Sequence, residues 1–410
     1  MFSMSSADAV LRALFGYDGC MIAAQPGNPE RYAELDGVRG VAIALTLLCN
    51  TLMLGWGGNH AQKAWHLLAE GSWIGVQLFF VLSGFLITGI LIDSKGGKFY
   101  FRNFYARRAL RIFPAYFLMV AIVFIGLSIS NQHMPLSQSC YWFFVSNFCI
   151  ANYGSWVDDH LGITWSLAVE EQFYLVWPFL IWLLPVRYLG KAIAAIIAAS
   201  LLLRYGMVAA GVSGLKLYVL TSVRADGLAA GALIAVAVRS GIGGERLAKL
   251  GITALAGGIA AMVAVTIEAG SFDYRNTFIM TIGYTALTVA SSGLVLFLAA
   301  EQNAAHALRR TFRWKPLVAF GFYSYGIYLY HALVSFFFGR FPFLQPEALA
   351  RFPGGPFAAQ IMATASITAI TFLLALVSYH LFEKRFLDLR PYFPAKGKPA
   401  RPASAPYISA

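Results

Sequence analysis

Ionisable side chains are scarce in this 410-residue chain, so those that interrupt apolar stretches mark where chemistry would occur. Asp36 and Arg39 share one helix face by their i, i+3 spacing. Arg107, Arg108 and Arg111 form a cationic cluster suited to phosphate oxygens, although lipid headgroups would be an equally good partner. Glu170 and Glu171 are adjacent. On a helix they point about 100° apart, so they are not a carboxylate dyad. One is expected to face a cavity and the other to pair with a buried arginine, Arg204 or Arg224, with Asp226 close by. His331 is the only histidine deep in a predicted span, which makes it a candidate general base or a buried packing group. Cys49 and Asn50 sit together near the end of the first apolar run.

These residues belong to a chain that is 59% hydrophobic and 12% charged, with mean hydropathy +0.65. Soluble domains carry about 25% charged residues. Composition therefore excludes a soluble globule, a disordered chain, a collagen-like repeat and a disulfide framework. An all-α polytopic membrane protein remains. Ten spans are expected, at 37–55, 72–92, 111–130, 163–185, 189–211, 217–238, 248–268, 278–299, 316–338 and 359–382. The apolar stretch Tyr141–Ile150 is too short to cross and reads as interfacial or re-entrant. Residues 1–30 read as an N-terminal cytoplasmic segment without signal-peptide character, 31–389 as the membrane domain, and 390–410 as a disordered, basic, Pro-rich tail.

Loop charge sets the expected orientation. With a cytoplasmic N-terminus, 22 Lys and Arg residues fall in inner segments and 5 in outer ones, so both termini are expected in the cytoplasm. The net charge of +12 is then a topology signal rather than a nucleic-acid one. In this frame Asn50, Glu170, Arg204, Arg224 and His331 lie five to seven residues from outer helix ends, on the order of 10 Å deep. A cavity opening outward and lined by all five is the expectation. Cys140 and Cys149 would meet on an oxidising face, but free thiols are the expected state.

Several strings carry a resemblance: Glu34-Leu-Asp-Gly-Val-Arg-Gly40, Gly75-Val-Gln-Leu-Phe-Phe-Val-Leu-Ser-Gly-Phe-Leu-Ile-Thr88, Phe104-Tyr-Ala-Arg-Arg-Ala-Leu-Arg-Ile-Phe-Pro114 and Thr164-Trp-Ser-Leu-Ala-Val-Glu-Glu-Gln-Phe-Tyr174. Arg224-Ala-Asp226, Tyr323-Ser-Tyr-Gly-Ile-Tyr-Leu-Tyr-His331 and Leu381-Phe-Glu-Lys384 follow in order. From about Arg31 to Leu389 the chain resembles the bacterial membrane-bound acyltransferase family 3, which includes O-antigen and exopolysaccharide O-acetyltransferases. The resemblance implies a multi-pass protein of the bacterial inner membrane, serving polysaccharide or lipopolysaccharide biosynthesis. It would move an acyl group, expected to be acetyl, from cytoplasmic acyl-CoA to a hydroxyl of a glycan or glycolipid. No bound cofactor or metal is implied, and a further extracytoplasmic hydrolase-like domain found in some members is expected to be missing. Arg39 matches the family arginine for donor handling, with Arg107, Arg108 and Arg111 as further donor-binding residues. Asp36, Arg204, Arg224 and Asp226 would support the acceptor cavity, with Glu170, Glu171 and His331 as catalytic candidates.

One position departs from the pattern. The family places an essential histidine eleven residues after the arginine of the first helix, and here that position is Asn50. An amide has no useful basicity. A displaced base, an inactive relative, and a substitution at this residue all fit. A transporter or flippase of glycans or lipids is the alternative from another class.

Overall fold

A computed structural model describes residues 33–51, 60–131, 133–156, 161–300, 306–339 and 355–394. The N-terminal segment 1–30 and the tail beyond 394 lie outside the described residues. Helix follows helix: α1 (Ala33–Asn50), α2 (His60–Glu70), α3 (Ile74–Ser94), α4 (Tyr100–Ile129), α5 (Ser139–Trp142), α6 (Ser146–Tyr153), α7 (Thr164–Leu183) and α8 (Val186–Ala209). Then come α9 (Gly214–Val219), α10 (Thr221–Ala237), α11 (Gly244–Ala269), α12 (Tyr284–Ala300), α13 (Ala307–Phe312), α14 (Lys315–Phe322), α15 (Ser324–Gly339), α16 (Gly355–Ser378) and α17 (Lys384–Leu387). No strand occurs among the described residues. The chain is an all-α polytopic membrane protein, since a bilayer leaves backbone groups no partner outside the helix itself.

Each expected span falls on a helix. Among the described residues seven helices are long and apolar enough to cross a membrane, and eight if the bent pair α14–α15 counts as one crossing. The other two expected spans are α1, which carries Glu34, Asp36 and Arg39, and α7, which carries Glu170 and Glu171. Two boundaries differ from expectation. α4 starts at Tyr100 rather than 111, so its arginines lie on the helix and not in a loop. The span expected at 316–338 bends by 74° at Tyr323, between Gly321 and Ser324.

Glycines set the closest helix approaches. A Cβ at Gly84 would strike the backbone of Leu228, and one at Gly231 the backbone of Val81, so α3 and α10 pack backbone to backbone. Gly37, Gly40 and Gly321 do the same for α1 against α13 and α14. Lipid offers no hydrophobic drive for helix association, and close packing through small residues replaces it. This explains the glycines of the opening string without any chemistry.

The expectation of free thiols at Cys140 and Cys149 does not hold: they form a disulfide, with Cα atoms 6.3 Å apart. The apolar stretch Tyr141–Ile150 folds as two short helices, α5 and α6, with Phe144 at φ +53° between them. That reversal brings together two residues nine apart. Cys49 remains a free thiol.

Candidate active site

A cavity of about 760 Å³ runs along α3 from Asp93 at one end to Val76 near the other. At about 1.5 Å per residue that separation is about 25 Å, most of the hydrocarbon thickness. One end is cationic. Arg39, Arg108, Arg111, Arg239 and Arg390 line it, with Asp36 and Asp93. Arg39 is tied to Asp36 at 2.8 Å, and Arg239 to both oxygens of Asp93 at 2.9 and 2.8 Å. Arg108 and Arg111 lie against the Tyr174 and Tyr325 rings at 5.8 and 5.6 Å.

Each arginine has a structural reason for its place. Glu34, buried in the first turn of α1, takes Arg313 at 2.6 Å and Arg309 at 3.3 Å, which locks α1 to α13 and leaves Arg39 facing the cavity. Arg108 and Arg111 share a face of α4 by i, i+3 spacing. Arg107, expected to act with them, does not line the cavity and donates to the Phe393 carbonyl at 3.3 Å. Arg390 was hidden in the sequence. Residues 390–394, read as disordered tail, form a 3-10 turn that packs on α4, with Asn103 donating to the Pro394 carbonyl at 2.9 Å.

Glu170 lies midway along the cavity. It accepts from Ser83 Oγ at 2.7 Å and Tyr174 OH at 3.0 Å. Ser83 and Tyr174 are polar groups that sequence reasoning missed, although both stand inside the strings quoted above. Glu171 points away as the helix geometry requires, and its Oε1 is buried with no hydrogen-bond partner among the described residues. Neither glutamate pairs with Arg204 or Arg224, contrary to expectation.

The far end of the cavity is aromatic. Phe79, Phe80 and Tyr328 line it, together with Ser166. The Tyr328 hydroxyl meets Ser166 Oγ at 2.5 Å and the Ile163 carbonyl at 2.9 Å. His331 is fully buried one ring beyond, 5.4 Å from Tyr328 between centroids.

The outward cavity lined by five polar groups is corrected by the structure. Of the five, Glu170 alone lines the cavity, which reaches the basic end of the bundle. Arg204 pairs with Asp226 at 2.8 Å and donates to Thr285 at 2.8 Å. Arg224 donates to Gln77 at 2.7 Å, and Gln77 to Thr288 at 2.8 Å. The network stitches α3, α8, α10 and α12 together. Equal depth put these groups at one level but said nothing about which way each helix turns them. Asn50 ends α1 exposed, its Nδ2 donating to the Thr46 carbonyl at 2.9 Å.

Fold and site together define a polytopic helical membrane protein with a cationic, elongated cavity threaded through its bundle. Residues 32–380 match the Acyltransferase domain family, and the chain belongs to that family. It is 29% identical over 321 residues to the peptidoglycan O-acetyltransferase OatA of Listeria monocytogenes, covering 73% of this chain and 48% of that protein. It is 29% identical over 373 residues to YrhL of Bacillus subtilis, covering 85% and 54%. The O-acetyltransferase OatA of Staphylococcus aureus is 24% identical over 376 residues, covering 87% and 57%. The chain thus spans about half the length of the curated relatives it matches. No solved structure matches it.

Proposed function

We propose that the chain is a membrane O-acetyltransferase that takes acyl-CoA from the cytoplasmic side and esterifies a hydroxyl of a glycan beyond the membrane. The observation that carries this reading is the cavity itself, cationic at one end and reaching across the bundle. The basic end is taken as cytoplasmic, from the loop-charge bias. Its arginines suit the phosphates of coenzyme A, since guanidinium makes strong charge-assisted bonds to phosphate. The pantetheine arm would lie along α3, bringing the thioester toward Tyr328 and Ser166. The Listeria monocytogenes relative is named for O-acetylation of peptidoglycan, and a cell-envelope glycan is accordingly the acceptor class proposed.

The chemistry is acyl transfer. The acceptor oxygen bonds to the acyl carbon, the C–S bond breaks, and the thiolate leaves as free coenzyme A after taking up a proton. A base must remove the hydroxyl proton. Glu170, inside the cavity, and His331, one ring away, are the candidates. Purified protein in lipid nanodiscs should bind coenzyme A and consume acetyl-CoA when glycan is present. Arg108→Gln should weaken coenzyme A binding by about tenfold or more, the worth of one charged hydrogen bond. Unchanged affinity in Arg108→Gln and Arg111→Gln would remove the cavity from donor binding. Glycan translocation without thioester consumption would establish the transporter instead.

A further inference from the structure

Beyond the aromatic end of the cavity the rings continue to the surface. Phe80, which lines the cavity, meets Trp165 edge-on at 6.1 Å. Trp165 lies 4.6 Å from Tyr218, and Tyr218 lies 4.4 Å from Tyr274. Trp156 closes the series, 6.1 Å from Tyr218, with its indole N–H donated to the Tyr274 hydroxyl at 2.9 Å. Trp165 and Tyr218 are buried, whereas Trp156 is 44% exposed. An interfacial belt would turn isolated rings toward lipid. Here the rings contact one another in a line from the cavity to one exposed indole.

The lip around Trp156 is polar and held in place. Asp273 and Arg275 form an ion pair at 2.6 Å, and Glu70 lies within their electrostatic reach with its Oε2 buried and without a hydrogen-bond partner among the described residues. Burial alone would raise the Asp273 carboxyl, but the Arg275 hydrogen bonds outweigh it and hold the group below its usual range. It is therefore a hydrogen-bond acceptor at neutral pH. The loop carrying Phe272–Arg275 is anchored by Trp73 donating to the Phe272 carbonyl and Tyr284 to the Tyr274 carbonyl, both at 3.0 Å. A Cβ at Gly71 would strike the Phe272 ring, and one at Gly214 the Arg275 backbone. Cys49, next to Asn50, lies against the Trp73 backbone and within electrostatic reach of Glu70, so this lip adjoins the end of α1.

We propose that this lip is the acceptor site, binding a pyranose ring of a glycan stacked on Trp156 with its hydroxyls bonded to Asp273, Arg275 and Glu70. An aromatic face beside a few fixed polar groups is the composition of a site for a ligand that is apolar on its ring faces and polar at its edges. Its role as acceptor site rests on the acyl-transfer reading, but sugar binding does not.

Saturation-transfer NMR on the full chain in nanodiscs tests it with maltotetraose, chitotetraose and a soluble peptidoglycan glycan fragment as probes. At least one should receive saturation at its ring protons. Trp156→Ala should weaken that probe about tenfold or more, and Trp156→Phe should retain most of the binding. Coenzyme A binding, measured in the same samples, reports a folded protein. No binding of any probe, or equal binding in Trp156→Ala, overturns the proposal. Because the readout is binding, it is independent of whether acetyl transfer occurs: sugar bound at Trp156 without acetyl-CoA consumption would overturn the enzyme and leave the site standing.

Discussion

The Nδ1 atom of His331 lies 2.7 Å from the carbonyl oxygen of Tyr328, the residue whose ring lines the cavity. A carbonyl only accepts, so the neutral imidazole carries its proton on Nδ1 and leaves the Nε2 lone pair bare. Nε2 is buried and has no hydrogen-bond partner among the described residues. A fixed tautomer with an open lone pair is what a general base needs. His331→Gln is expected to lower acetyl transfer by about 10²–10⁴-fold while coenzyme A binding persists. Full turnover in this variant would make His331 a packing group.

Glu170 and Glu171 should separate in the same assay. Glu170 is held in the cavity by Ser83 and Tyr174, whereas Glu171 lies outside it. Glu170→Gln is expected to reduce turnover by about 100-fold or more with membrane insertion intact. Glu171→Gln is expected to retain most activity. The opposite ranking, read from thioester consumption, would show that the wrong carboxylate has been placed in the chemistry.

The Arg204–Asp226 pair is predicted to govern stability. Both side chains are buried, so removing one leaves an uncompensated charge. Asp226→Asn is expected to cost about 3–5 kcal/mol, read as a lower thermal transition in detergent. The double variant Arg204→Met with Asp226→Leu should regain much of that loss, because no lone charge remains. A transition unmoved by Asp226→Asn would contradict the buried pair.

Much of this architecture was legible in the residues because an apolar run of about 20 residues has few alternatives in a bilayer. The chemistry was legible where depth alone mattered. Glu170 stands out because an acid in such a run demands a reason. Azimuth was not legible, and therefore Arg204 and Arg224 were assigned to a cavity they do not line. Their partners, Asp226 and Gln77, sit on other helices whose rotation no spacing rule sets. Arg390 escaped notice because it stands among prolines after the last span. Only the return of the chain onto Asn103 and Arg107 brings it to the cavity. The disulfide was missed because it depends on the reversal at Phe144.

That disulfide also reports topology. A Cys140–Cys149 bond persists on an oxidising side of the membrane, the side that loop charge assigns to 131–162. In the Cys20→Ser variant, denatured but unreduced protein should take up one alkylating label, at Cys49, and three after reduction. Three labels before reduction would show both cysteines free and would argue against an external α5–α6 segment.

Asn50 gives the most discriminating test. Its side chain is exposed at the end of α1 and, among the described residues, bonds to the Thr46 carbonyl in the same helix turn. Substitutions at exposed positions of this kind usually shift stability by no more than about 0.5 kcal/mol. A change in turnover on Asn50→His is therefore chemical rather than a folding effect. If Asn50 stands where a working histidine belongs, Asn50→His should raise acetyl transfer by about 10²–10⁴-fold, the worth of a positioned base. If His331 already supplies the base, Asn50→His should change the rate little and His331→Gln should remain inactive without it. The double variant Asn50→His with His331→Gln separates the two: activity restored there places the base at position 50, and silence places it at 331. An inactive protein that stays silent in Asn50→His, yet still binds coenzyme A through Arg108 and Arg111, would be a relative that has kept its donor cavity and lost its reaction.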